Sequence, residues 1–145
     1  MKKNFGIFVF VFFQLSLSAQ LEKTIHQTFE LNQPTSISLE IKGDYELVSW
    51  SGDHILTETN IELYDATEGI LQHYLKAGRY EVLADTSVAT QFKLYSKDQE
   101  RRVLRTKRGE CFEVVKMKIF VPETFDTSNP TLLVRKEPLT ESKNN

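Results

Sequence analysis

The sequence predicts a mainly β protein: an antiparallel β-sheet or sandwich with one short α-helix packed on it. Three observations carry that reading. Apolar and polar residues alternate from Thr35 to Lys42, with Ile37, Leu39 and Ile41 on one face and Ser36, Ser38 and Glu40 on the other. Two Gly-Asp pairs, Gly43-Asp44 and Gly52-Asp53, punctuate the strands that follow. The period then changes once, at Asp65, to helical spacing.

The elements follow in order. Residues 1–19 read as an address. Met1-Lys2-Lys3 gives a positive start, Phe5 to Leu17 is nearly all apolar, and Ser18-Ala19-Gln20 offers small residues for cleavage. That order is the one of a secretory signal peptide. The apolar run is shorter than the roughly 20 residues a spanning helix needs, which disfavours the alternative of an uncleaved anchor. Cleavage after Ala19 is expected, and no later stretch is apolar enough to span a bilayer. The protein is therefore expected to be exported, to the periplasm, the outer-membrane surface or the exterior.

Of 145 residues, 40% are hydrophobic and 26% charged, which suits one globular domain and excludes a fully disordered chain. Loss of Lys2 and Lys3 from the 18 Lys+Arg, against 20 Asp+Glu, leaves a mature net charge of −4. A mildly acidic chain argues against nucleic acid as a partner. One Cys rules out an internal disulfide framework and a Cys-rich zinc site. In an oxidising compartment Cys111 is expected to be buried or paired between chains. No dinucleotide, phosphate-loop, zinc-protease, nucleophile-elbow or EF-hand motif occurs.

Thr24–Leu31 reads as a strand, interrupted at Gln33-Pro34. With Gly43-Asp44 and Gly52-Asp53 as hairpin loops, Ile37 faces Trp50 and Trp50 faces Ile55. One face then carries Ile37, Leu39, Ile41, Val48, Trp50, Ile55, Ile61 and Leu63, since opposed residues share a face. This predicts a three-stranded antiparallel meander with Trp50 in the core.

Asp65-Ala66-Thr67-Glu68 resembles a capping box. Ile70, Leu71, Tyr74 and Leu75 recur at helical spacing, and Gly78 stops the run. The reading is a helix over about 66–77, packing those four residues on the sheet. Strands resume at Arg79–Ala84, Thr90–Tyr95, Arg101–Lys107 and Cys111–Val121, where Pro122 ends the last. The domain is thus expected over 20–125. Residues 126–145 are polar and expected to form a flexible tail, with Leu132-Leu133-Val134 a candidate edge strand.

The pieces Ile37–Ile41, Gly43-Asp44, Val48-Ser49-Trp50, Gly52-Asp53 and Ile55–Thr57, with the later Ile119–Pro122, resemble a group of bacterial secreted envelope proteins described as adhesins of unknown function. The likeness spans about half of the mature chain. It implies a β-rich, adhesin-like interaction module. Members of that group continue into a long β-solenoid, whereas here a helix interrupts the strands and the chain ends soon after Pro122. The resemblance carries over no functional residue.

The densest chemical feature is Arg101, Arg102, Arg105, Lys107 and Arg108. These cations are the candidate contact for a polyanion or an acidic partner face. On a strand they split between two faces, so the plainer reading is a solvated edge. His26, His54 and His73 lie far apart in sequence and show no metal-ligand spacing. Cys111 has no local activating base. Glu58 and Glu62 suit a solvent-facing strand better than a carboxylate pair. Trp50 suits the core better than a sugar-stacking platform.

No catalytic, cofactor-binding or metal residue is therefore assigned, and no cofactor is expected. The reading is a non-catalytic envelope interaction module whose partner is an envelope protein or a glycan. Two alternatives stand beside it: a small-ligand carrier or enzyme with a pocket between helix and sheet, and a structural subunit of a surface β-assembly.

Overall fold

A computed structural model describes residues 20–137. The signal-peptide reading of residues 1–19 and the end of the expected tail, residues 138–145, lie outside the described residues. In chain order the elements are β1 (Leu21–Phe29), β2 (Ser36–Glu40), β3 (Tyr45–Trp50), β4 (Ile55–Tyr64), α1 (Glu68–Lys76), β5 (Val82–Asp85), β6 (Gln91–Ser96), β7 (Leu104–Thr106), β8 (Gly109–Pro122), β9 (Phe125–Asp126) and β10 (Leu132–Arg135). The protein is mainly β, and its described residues form two sheets and one short helix.

Alternation sets the long strands. In β4, Ile55, Thr57, Thr59, Ile61 and Leu63 are all buried, while the residues between them are half-buried. That strand pairs antiparallel with β1 over its whole length and with β8 on its other side. The first sheet runs β1-β4-β8-β3, with β7 also paired to β8. The second runs β5-β6-β2-β10-β9.

The three-stranded meander does not form. The Gly43 loop carries the chain from the second sheet to the first: β2 pairs with β6 and β10, and β3 pairs with β8. Gly43 has φ +90°, the left-handed conformation a tight turn asks of glycine. The Gly52-Asp53 loop does not join neighbours either, because β8 lies between β3 and β4. The β2–β6 and β3–β8 pairings are parallel and the others antiparallel.

The change of partner changes the register of β3. Without a hairpin to fix it, β3 takes its register from β8, setting Tyr45 opposite Met117 and Leu47 opposite Ile119. Tyr45 and Leu47 therefore pack on the core, and the expected core position of Trp50 is wrong. Trp50 is half-buried on the outer face beside Phe120, with ring centroids 6.0 Å apart. Its Nε1–H donates to the His54 carbonyl at 3.1 Å. The ring lies over Gly52, where a β-carbon would overlap it.

Two cores result. Ile37, Leu39, Phe92, Leu94 and Leu133 from the second sheet meet Ile55, Met117, Ile119 and Val121 from the first. At the other end of the long strands, Ile61, Leu63, Leu104 and Cys111 pack with Leu71 of α1 and with Tyr80. The stretch from residue 126 is not a loose tail up to its last described residues. β10 inserts between β2 and β9, and Leu133 is fully buried. The edge strand β1 places Lys23 on its inward register, opposite Ile61, yet exposed; a charge there blunts strand-to-strand association.

α1 starts later than the capping-box reading places it. Asp65 has φ +60° and Thr67 is the N-cap, without a side-chain cap hydrogen bond. Leu71, Tyr74 and Leu75 pack on the second core as expected. Ile70 does not join them. It is half-buried and lines a groove described below.

Candidate functional site

The site is built by a hairpin and a helix. Thr106 ends β7 and Gly109 begins β8, and the turn between them is closed by the Thr106 hydroxyl. Its Oγ1 accepts from the Arg108 backbone N–H at 3.1 Å and donates to the Gly109 carbonyl at 3.2 Å. Gly109 has φ +127°, which a side chain would strain. The hairpin stands beside the first turns of α1. Between them lies a groove of about 980 Å³ lined by Ala66, Ile70 and Tyr74 on the helix side and by Arg105, Lys107 and Arg108 on the hairpin side.

The seam between α1 and the sheet is filled by the second core, so the groove lies outside it. Asp65 and Glu110 also line the groove, and His73 sits on its helical wall, edge-on to Tyr74 with centroids 5.2 Å apart.

The five cations of the basic strip have separate fates. Arg102 pairs with Glu100, and Arg105 with Glu110 at 3.1 Å; both pairs are well exposed. Exposed pairs of this kind add little stability. Lys107 and Arg108 have no ion-pair partner among the described residues and stand on the groove wall. Arg101 turns inward with φ +37°, is only partly accessible, and leaves its buried Nε without a hydrogen-bond partner. Burial holds its guanidinium below the ordinary arginine value. The structure thus breaks up the expected contact: only Lys107 and Arg108 remain as free cations.

Behind the groove lies a buried polar cluster that the sequence reading missed. Arg79 is 6% exposed and grips Glu113 through two hydrogen bonds. It also reaches Asp98 at 3.3 Å and the Arg102 carbonyl at 2.7 Å. Its guanidinium lies 5.3 Å from the Tyr74 ring centre, and while Tyr74 lines the groove, Arg79, Tyr80, Asp98 and Glu113 do not. Tyr80 donates its hydroxyl to Glu113 at 2.6 Å. Burial, then the Glu113 hydrogen bond, pushes the Tyr80 phenol well above its usual range.

Burial alone would raise the Glu113 carboxyl. Hydrogen bonds from Arg79 and Tyr80 and the nearby guanidinium charges outweigh it, and the carboxyl stays below its ordinary value. Arg79 is raised by the same pairing in spite of burial. These groups satisfy one another, which is the condition for burying charge at all.

The remaining candidates are dispersed. His26 meets Glu58 at 3.2 Å on the outer face, and His54 meets Asp53 at 2.9 Å in a loop. Glu62, on the same outer face, accepts from Tyr64 at 2.8 Å. Cys111 is buried, its Sγ–H donating to the Asp65 carbonyl at 3.3 Å. Among the described residues no three His, Cys, Asp or Glu side chains form a metal-ligand group. No helix there is long and apolar enough to cross a membrane.

No family model matches the chain, and neither does a curated protein or a solved structure.

Proposed function

We propose that this chain is an exported, non-catalytic binding module of the cell envelope, and that its working surface is the groove between α1 and the β7–β8 hairpin. The observation that carries the reading is the pair Lys107 and Arg108. They stand on the groove wall without ion-pair partners among the described residues, while the neighbouring arginines are paired or folded inward. Unpaired cations beside a concave surface attract an anionic ligand.

Two further points support binding over catalysis. Tyr80 and Glu113, whose protonation is displaced by burial and pairing, are tied to each other and, through Glu113, to Arg79. The groove lies between α1 and strands of the first sheet, where the alternative places a reaction pocket, and that ion-paired cluster does not line it. The β-assembly alternative has weaker support. From Met117 to Pro122, β8 is bonded to β3 on one side, and β4 covers much of its other side. The apolar N-terminal run and the likeness to envelope adhesins favour an envelope location.

The test is capture from native envelope extract by residues 20–145, which contain both core clusters, with the retained proteins and lipids identified by mass spectrometry. A Lys107→Glu/Arg108→Glu variant runs beside it. Material retained by the unaltered chain and lost by the variant is the expected result. Equal retention by both, or none by either, overturns the reading.

A further inference from the structure

We infer that the groove takes a single-headed amphipathic anion, with a phosphate or carboxylate head at Lys107 and Arg108 and an alkyl body against Ala66, Ile70 and Tyr74. The inference rests on the binding reading above and names the class of ligand. Three observations converge on it.

The first is the mixed character of the walls. Ile70 is the one residue of the expected helix-packing set that stays outside the second core and faces the groove. With Ala66 and Tyr74 it gives an apolar surface directly across from two unpaired cations. Apolar surface left half-exposed beside charge suits a ligand that carries both.

The second is size. A groove of about 980 Å³ is far larger than an inorganic anion requires. It lies at the upper end of the range typical of small-molecule sites, roughly 300–1,000 Å³. An inorganic anion would meet only exposed, well-screened side chains here, and its affinity would be low. The alkyl body supplies what charge alone does not.

The third is the placement of the opposing charges. Asp65 and Glu110 line the same groove. Glu110 is neutralised by Arg105, but Asp65 has no ion-pair partner among the described residues. An anionic polymer laid along the groove would meet that carboxylate, whereas a ligand with one charged end avoids it.

The test is titration of ¹⁵N-labelled residues 20–145 followed by amide chemical shifts. The probes are dodecanoate, dodecyl phosphate, dodecyl maltoside and inorganic phosphate, the amphiphiles all held below micelle formation. The expected result is saturable shifts within residues 66–74 and 105–110 for the two anionic amphiphiles, with the maltoside and inorganic phosphate at least tenfold weaker. Comparable binding of dodecanoate and dodecyl phosphate assigns any singly headed anion; preference for one assigns its head group. Lys107→Glu/Arg108→Glu should weaken both by tenfold or more. Ile70→Asn should weaken the amphiphiles and leave inorganic phosphate unchanged.

Equal binding of the maltoside would reduce the site to an apolar patch and overturn the inference. Equal binding of inorganic phosphate would reduce it to a simple anion site. Shifts confined to other residues, or no saturable shifts, would overturn it as well. Capture from envelope extract tests the binding reading and these titrations test the ligand class, so each can fail without the other.

Discussion

Arg79 holds Glu113 in a two-pronged grip, Nε to Oε1 at 3.0 Å and Nη2 to Oε2 at 2.9 Å, with the arginine side chain 6% and the glutamate side chain 13% exposed. The pair ties the chain just after α1 to the first half of β8. Removing one partner strands the other charge in a poorly hydrated site. Glu113→Ala should therefore lower stability by about 3–5 kcal/mol. Urea unfolding of the variant is the check, and a loss below about 1 kcal/mol would show that the pair is dispensable.

The same carboxylate predicts the direction of acid sensitivity. Its folded-state pKa is depressed, so the unfolded state binds the proton more readily. The stabilisation is fully present above the unfolded value of about 4.3 and is lost as pH falls through the lower folded value. Unfolding free energies measured between about pH 6 and pH 3 should decline more steeply for the natural chain than for Glu113→Gln. Parallel curves would mean that other carboxylates control the acid limb.

Within the basic strip the substitutions should separate. Arg102→Glu and Arg105→Glu alter exposed pairs and should leave the urea midpoint unchanged. Arg101→Glu sets a carboxylate among Glu113 and Asp98 in place of a cation that favours both, and should cost about 2–3 kcal/mol. Equal tolerance of all three would place Arg101 in solvent.

Trp50 is the single tryptophan and reports on its own loop. Because it is half-buried, Trp50→Ala should cost about 1.5–2.5 kcal/mol, less than the ~3–5 kcal/mol of a fully buried aromatic. Gly52→Ala forces the indole to move and should shift its fluorescence emission. An unchanged spectrum would mean the ring does not rest on Gly52.

Leu133 tests the C-terminal boundary. It is fully buried in β10, between β2 and β9, and Leu133→Ala should cost about 2–5 kcal/mol. A neutral substitution would return residues 126–137 to a loose tail.

Much of the fold is legible where one residue decides between two faces. The alternation of Ile37 and Leu39, the helical spacing of Leu71, Tyr74 and Leu75, and the long strand ending at Pro122 all match the structure. The partners of the strands are not legible. Gly43 signals a turn equally well whether the next strand returns beside the last or crosses to another sheet, and that ambiguity misplaced Trp50. In the site, Lys107 and Arg108 could be named as cations, but their freedom depends on Glu100 and Glu110 reaching Arg102 and Arg105. Glu113 gave one readable sign. It shares the strand parity of Cys111 and Val115, so a charge at an inward position asks for a buried partner. Arg79, 34 residues away, could be found only from the fold.

The position of β8 sets the order in which the chain can be assembled. β3 has no partner in the first sheet until β8 arrives, and the second sheet lacks β9 and β10 until the last described residues have been made. The β1–β4 ribbon and the β5–β6–β2 pairings need no strand made after β6 and can form early. During synthesis the joining of β3 to the first sheet and the completion of the second sheet therefore wait until β8, β9 and β10 have been made. Pairings this distant in sequence also make that completion slow, in the range of milliseconds to seconds.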